Sequence, residues 1–211
     1  MHMTSSLVFD DTDRVVLHNV LSAPPFTSFL PGIAGRNGIP LWAFYVNRGQ
    51  AMSSFGVEGK DHPVLEFLPA DQAYLSTPVT GFRTFIAEES GGTRSVYEPF
   101  SPDAGDEVSM HIGMNELEIS TASVRGGLET RVLYFTLTDE PCAGLVRRLI
   151  VTNAADAPRN LEILDGLPHM QPYGLGDHAL KNMSRTIEAW KAVYNSDERL
   201  PFYRLQAAPG D

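Results

Sequence analysis

Proline and glycine recur so often along this chain that long uninterrupted elements have little room. Fifteen prolines and 18 glycines are spread over 211 residues, and each marks a place where a helix or strand tends to stop or turn. Between them lie short runs rich in β-branched and aromatic residues, the types that fit a pleated surface. Such runs cover residues 7–9, 14–17, 41–46, 64–68, 83–87, 108–112, 117–119, 131–138, 145–152 and 161–164. Turn chemistry separates them. Asp10, Asp11, Thr12 and Asp13 link two runs, Gly91 and Gly92 follow another, and Arg125, Gly126 and Gly127 precede a long one; these are residue types that bend the chain. A spacing of roughly 8–12 residues between strand signals predicts an all-β fold, a large antiparallel β-sandwich.

The longest run has no clearly wet side. Leu133, Phe135 and Leu137 alternate with Val132, Tyr134 and Thr136, which predicts a sheet covered on both faces or an inner sheet of a large sandwich. Arg147 and Arg148 interrupt the next run and must project to opposite faces. A buried member of that pair needs a carboxylate partner, whereas a snorkelling pair on an exposed edge needs none. One segment breaks the strand pattern. Leu180, Met183, Ile187, Trp190 and Tyr194 recur at steps of three and four, so one helix is expected over 177–194, near the C-terminus. Asp177 is its expected N-cap, and the stripe reads as core packing. Residues 1–211 are read as a single β-sandwich domain.

Charge narrows the partners. Sixteen Lys and Arg stand against 26 Asp and Glu, a formal net charge of −10. An acidic surface argues against nucleic acid, whose phosphates need a basic face, and against anionic membranes. No apolar stretch approaches the ~18 residues of a spanning helix, and the amino end shows no charged-then-apolar leader. Cys142 is the single cysteine. It excludes an intrachain disulfide framework and a multi-cysteine zinc site, and it points to a reducing, cytoplasmic setting.

The densest unusual segment runs from Phe29 to Gln50. Gly32, Gly35 and Gly38 make a glycine-bent loop, carrying Arg36 and Asn37, whose backbone can approach another group closely. The lysine and Ser/Thr of a phosphate-binding loop are missing. Four polar side chains remain as candidates for substrate contact: Arg36, Asn37, Arg48 and Gln50. Guanidinium and amide groups beside aromatics such as Trp42, Phe44 and Tyr45 suit sugar hydroxyls, which take paired donors and acceptors and an apolar stacking plane. A hairpin corner with Arg48 in a salt bridge explains the same residues without a ligand. The six histidines lack metal-ligand spacing, so no metal is expected. Glu116 and Glu118 share one strand face, as solvated residues do, and Asp165 reads as a lone carboxylate or a turn former. His111 with Glu116 or Glu118 is the one acid–base pair worth naming for a small sugar-isomerising enzyme.

The segment from Phe29 to Gln50 continues through Ser54-Phe55-Gly56, Glu66-Phe67 and Gly81-Phe82-Arg83-Thr84-Phe85. Tyr97-Glu98-Pro99-Phe100, the run from Met110 to Glu116, and Gly144-Leu145-Val146-Arg147 follow. So do Val151-Thr152-Asn153, Pro158-Arg159, Leu161-Glu162, Leu164-Asp165-Gly166-Leu167-Pro168, Pro172-Tyr173-Gly174, Ala189-Trp190 and Pro201-Phe202-Tyr203-Arg204. Together these residues resemble the amino-terminal part of 1,2-β-oligoglucan phosphorylases, relatives of the cellobiose phosphorylases. The resemblance implies a galactose mutarotase-like supersandwich followed by linker helices and an (α/α) barrel. It also implies inverting attack of inorganic phosphate, as co-substrate, on the anomeric carbon of a β-linked glucan. An aspartic acid of the barrel protonates the leaving oxygen, and no cofactor is needed.

The barrel finds no counterpart in residues 1–211, so no catalytic residue is assigned and the chain alone is expected to be inactive. The implied partners are a β-glucan oligosaccharide, the catalytic barrel, and a second copy if the chain forms a homodimer. A free-standing carbohydrate-binding module is the alternative, and a scaffold without any ligand is a third reading.

Overall fold

The computed structural model describes residues 8–121, 127–171, 174–197, 200 and 202–205. Leu7, Arg125, Gly126, Pro172, Tyr173 and Pro201, all used in the sequence reading, lie outside the described residues, as does the side chain of Ile187. The fold is all-β, as expected: antiparallel sheets build it. One sheet has six strands in the order β1 (Val8–Phe9), β2 (Val15–Leu17), β9 (Val108–Ile112), β10 (Glu116–Thr121), β11 (Leu128–Thr136) and β12 (Leu145–Asn153). A second has four: β3 (Thr27–Ala34), β4 (Ile39–Val46), β5 (Met52–Val57) and β6 (Pro63–Leu65). A third has three, with β7 (Arg83–Ser90) between β13 (Leu161–Gly166) and β8 (Thr93–Tyr97). The strands β14 (Lys191–Tyr194) and β15 (Phe202–Leu205) make a separate ribbon.

The six- and four-stranded sheets enclose the core. Met110, Leu117, Ile119, Val132 and Tyr134 come from the first, and Leu30, Ala43, Tyr45, Met52 and Leu65 from the second. Alternation along each strand sends the intervening residues outward. The sheets approach each other closely at Gly32, where a Cβ would lie 2.8 Å from Thr136 Cγ2, so a side chain there would force the neighbouring groups to shift. Gly35 and Gly38 turn the β3–β4 hairpin at φ of +70° and +66°, a region that side chains disfavour. What the sequence reading took for a glycine-bent loop is therefore a strand, β3, followed by a tight turn.

Among the described residues two α-helices accompany the sheets. The expected C-terminal one, α2 (Asp177–Ala189), is present, but it ends before Trp190. Lys191 to Tyr194 pair instead with Leu205 to Phe202, a pairing that suits Val193 and Tyr194. The helical stripe thus extends too far in the sequence reading. Leu180 is buried, whereas Met183 is 45% exposed, so α2 is seated by its first turn. Asp177 is the first residue of the helix rather than its N-cap, since the Leu180 amide bonds to the Gly176 carbonyl; its buried carboxylate is held by Lys60 and Lys181, at 2.8 and 2.9 Å. The other helix, α1 (Ala70–Thr80), carries no apolar stripe that could have announced it. Its buried side chains are Ala73 and Thr77, and Leu75 and Val79 face outward. Among the described residues no helix is long and apolar enough to cross a membrane.

Candidate functional site

The four candidate contact residues sit at two ends of one hairpin. Arg36 and Asn37 occupy the exposed β3–β4 turn, and Arg36 donates to the Asp139 carbonyl at 3.3 Å. Arg48 and Gln50 lie past the far end of β4, roughly 25 Å away at the usual strand rise. The hairpin therefore brings Arg36 to Asn37 and Arg48 to Gln50, and keeps the pairs apart.

At the far end nearly every polar group has a structural partner. Asn47 is fully buried, and its amide donates to the carbonyls of Val20, Ala23 and Pro24 at 3.0, 3.3 and 3.0 Å. Its side-chain oxygen accepts from the Phe26 amide at 3.0 Å. Arg48 donates to its neighbour's carbonyl at 2.9 Å and lies 4.5 Å over the Tyr74 ring. Gln50 is 3% exposed. Its amide donates to Thr84 Oγ1 at 2.9 Å, its carbonyl oxygen accepts from Arg147, and its backbone carbonyl accepts from the Tyr134 hydroxyl at 2.7 Å.

This corner extends into a polar latch that is buried at Gln50 and Thr84 and open to solvent at Asp165. Thr84 Oγ1 donates to Asp165 Oδ1 at 2.6 Å, and Arg147 grips both Asp165 oxygens at 2.5 and 2.9 Å. The Arg147 guanidinium also stands 4.8 Å from the Phe82 ring centre. Burial opposes its charge, but the Asp165 bond and the adjoining Tyr134 and Asp165 outweigh that and raise its pKa above the ordinary arginine value. Burial likewise pushes the Tyr134 hydroxyl up, so it stays protonated as a donor. Arg147 thus faces inward with a carboxylate partner, and Arg148 faces outward, as alternation requires. Asp165 is that partner rather than a turn former.

Two outward surfaces remain open. On the four-stranded sheet, Phe29, Ile33 and Trp42 are 49%, 66% and 43% exposed. Phe29 stands edge-on to Trp42 at 6.0 Å and tilts against Phe44 at 4.9 Å. Tyr45, named with these aromatics in the sequence reading, points the other way into the core.

On the six-stranded sheet a hollow of about 350 Å3 is lined by Ser109, His111, Glu118, Ser120, Arg131 and Thr152, among others. His111 and Glu118 are directly paired across β9 and β10. His111 Nδ1 lies 3.2 Å from Asp10, and Arg14 bridges Glu116 and Glu118 at 3.2 and 3.3 Å. The shared face of Glu116 and Glu118 is therefore correct, but it is ion-paired rather than simply solvated. The Thr12 hydroxyl holds the Asp10 carboxyl well below the usual range, against the opposing pull of desolvation. A smaller hollow of about 190 Å3 lies between β7, β8 and β13, where Arg94 and Glu162 pair at 2.6 Å.

No group of three or more metal-binding side chains is found among the described residues. No family model matches the chain, and no curated protein matches it.

Proposed function

We propose that this chain is the strand-built portion of a glycoside phosphorylase acting on β-linked glucans, β-1,2 in the first instance, and that it contacts the glucan and supports a catalytic barrel lying outside these residues. The reading rests on the motif resemblance and on one structural observation that favours sugar contact. Phe29, Ile33 and Trp42 offer an exposed, partly aromatic surface on the same hairpin that displays Arg36 and Asn37 at its turn. Aromatic planes bind the apolar faces of pyranose rings, and the neighbouring guanidinium and amide supply donors and acceptors for hydroxyls. An apolar patch of this kind on a strand-built surface generally marks a contact site. In the whole enzyme, phosphate would replace water as the nucleophile of an inverting reaction.

Calorimetric titration with β-1,2-linked glucan oligomers tests the contact. Saturable binding in the millimolar range, lost in Trp42→Ala, is expected. Absence of heat at those concentrations contradicts it. Incubation of the chain with glucan and phosphate should release no α-glucose 1-phosphate; release would show that the chain holds its own catalytic groups. The alternative, a free-standing carbohydrate-binding module, uses the same surface. It would bind β-1,4 and β-1,2 oligomers alike, whereas the phosphorylase reading expects preference for one linkage.

A further inference from the structure

The hollow on the outer face of the six-stranded sheet lies on the opposite layer from the aromatic hairpin and does not depend on the phosphorylase reading. Its floor is a charged side chain in an unusual position. Glu118 points outward by alternation, since Leu117 and Ile119 fill the core, yet its side chain is only 11% exposed. One oxygen accepts from Arg14 at 3.3 Å. The other lies 3.8 Å from Arg131 Nε, beyond hydrogen-bond reach, and so retains its capacity to accept.

Around it the walls are hydroxyl and imidazole groups. Among the described residues the Ser120 and Thr152 hydroxyls have no hydrogen-bond partner. His111 uses Nδ1 toward Asp10 and keeps Nε2. Charge then selects the ligand. Arg14 is shared among Asp10, Glu116 and Glu118, and among the described residues no group of three or more metal-binding side chains stands here to hold a metal cation. Glu118 and Glu129, both at the hollow, repel an anion. What remains is a neutral molecule with several hydroxyls. The volume sits at the small end of the usual range for ligand sites, about 300–1,000 Å3, which suits one ring rather than a chain.

We infer that this hollow binds a single neutral polyhydroxylated ring of the monosaccharide class, with a ligand hydroxyl donating to the open oxygen of Glu118. The test is amide chemical-shift mapping of the chain titrated with D-glucose, D-galactose and D-mannose in turn. Saturable shifts centred on Ser109, His111 and Ser120 are expected with at least one sugar. Ser120→Leu, whose outward side chain would fill the hollow, should abolish them, and Thr152→Leu should weaken binding by about tenfold or more. The urea midpoint of each variant is measured alongside; if Ser120→Leu unfolds, Thr152→Leu decides. Trp42→Ala should leave the shifts unchanged, which separates this site from the glucan surface. Three results overturn the inference: no saturable shift with any of the sugars, shifts that persist in the folded leucine variants, or competition by inorganic phosphate at the same amides.

Discussion

Two arginine–carboxylate clusters of similar composition occupy the two sides of the six-stranded sheet, and they have opposite prospects. Arg147, on the inward side of β12, is 7% exposed and joins Asp165, Thr84 and Gln50. Arg14 and Arg131 meet Glu118 on the outward side of the same sheet. Inside, Arg147 ties β12 to β13 through Asp165, to β7 through Thr84 and to the chain after β4 through Gln50. Outside, a carboxylate oxygen and two hydroxyls stay available. Residue type alone does not separate structural charge from charge free for a ligand; the face of the strand does.

Removing Arg147 should be the most damaging change. Arg147→Ala leaves Gln50 and Thr84 buried with lost partners, and about 3 kcal/mol of stability should go, read from the urea midpoint. A loss under about 1 kcal/mol would place the latch among ordinary surface pairs. Asn47→Ala should follow at roughly 2–3 kcal/mol, because it removes the partner of the Phe26 amide and of the Ala23 and Pro24 carbonyls at once. On the outward side, Glu118→Gln should cost no more than about 1 kcal/mol, since Arg14 retains Asp10 and Glu116. If the outward change proves the costlier, the contrast between the faces fails.

A gentler perturbation reaches α2. Bonds from Lys181 and then Lys60 hold the Asp177 carboxyl below the usual range. A lowered folded-state pKa adds stability above the ordinary carboxylate value of about 3.9 and loses it as pH falls through the folded value. Helical NMR signals of α2 should therefore weaken in acid before the sheet signals do, and Asp177→Asn should remove that pH dependence. Arg36→Ala, on the exposed turn, should change stability by less than about 0.5 kcal/mol, read from the urea midpoint.

Much of this architecture could be read from sequence. The expected strands at 108–112 and 145–152 coincide closely with β9 and β12, because β-branched residues and turn signals agree there. The opposed directions of Arg147 and Arg148, and the need for a carboxylate, followed from strand geometry alone. Other features carried no local signal. β3 contains Pro31 and Gly32, which read as loop residues; glycine is needed there by the opposite sheet, a tertiary fact. α1 buries only small side chains, so no periodic stripe betrays it.

Among the candidate contacts, Gln50 looked like a ligand group because burial of an amide between Thr84 and Arg147 joins residues distant in sequence. The hollow at Glu118 was half legible. His111 and Glu118 were named as a pair, but Arg14, Arg131 and Asp10 come to them only through strand pairing.

The most direct test compares the two faces in one experiment, by mapping amide shifts as a β-1,2-glucan oligomer is added to the chain. We expect saturable changes at Phe29, Ile33, Trp42 and Asn37, with Gln50, Thr84, Arg147 and Asp165 unmoved. Shifts concentrated in the Arg147 latch, with the β3–β4 hairpin silent, would contradict the division of labour between inward and outward side chains.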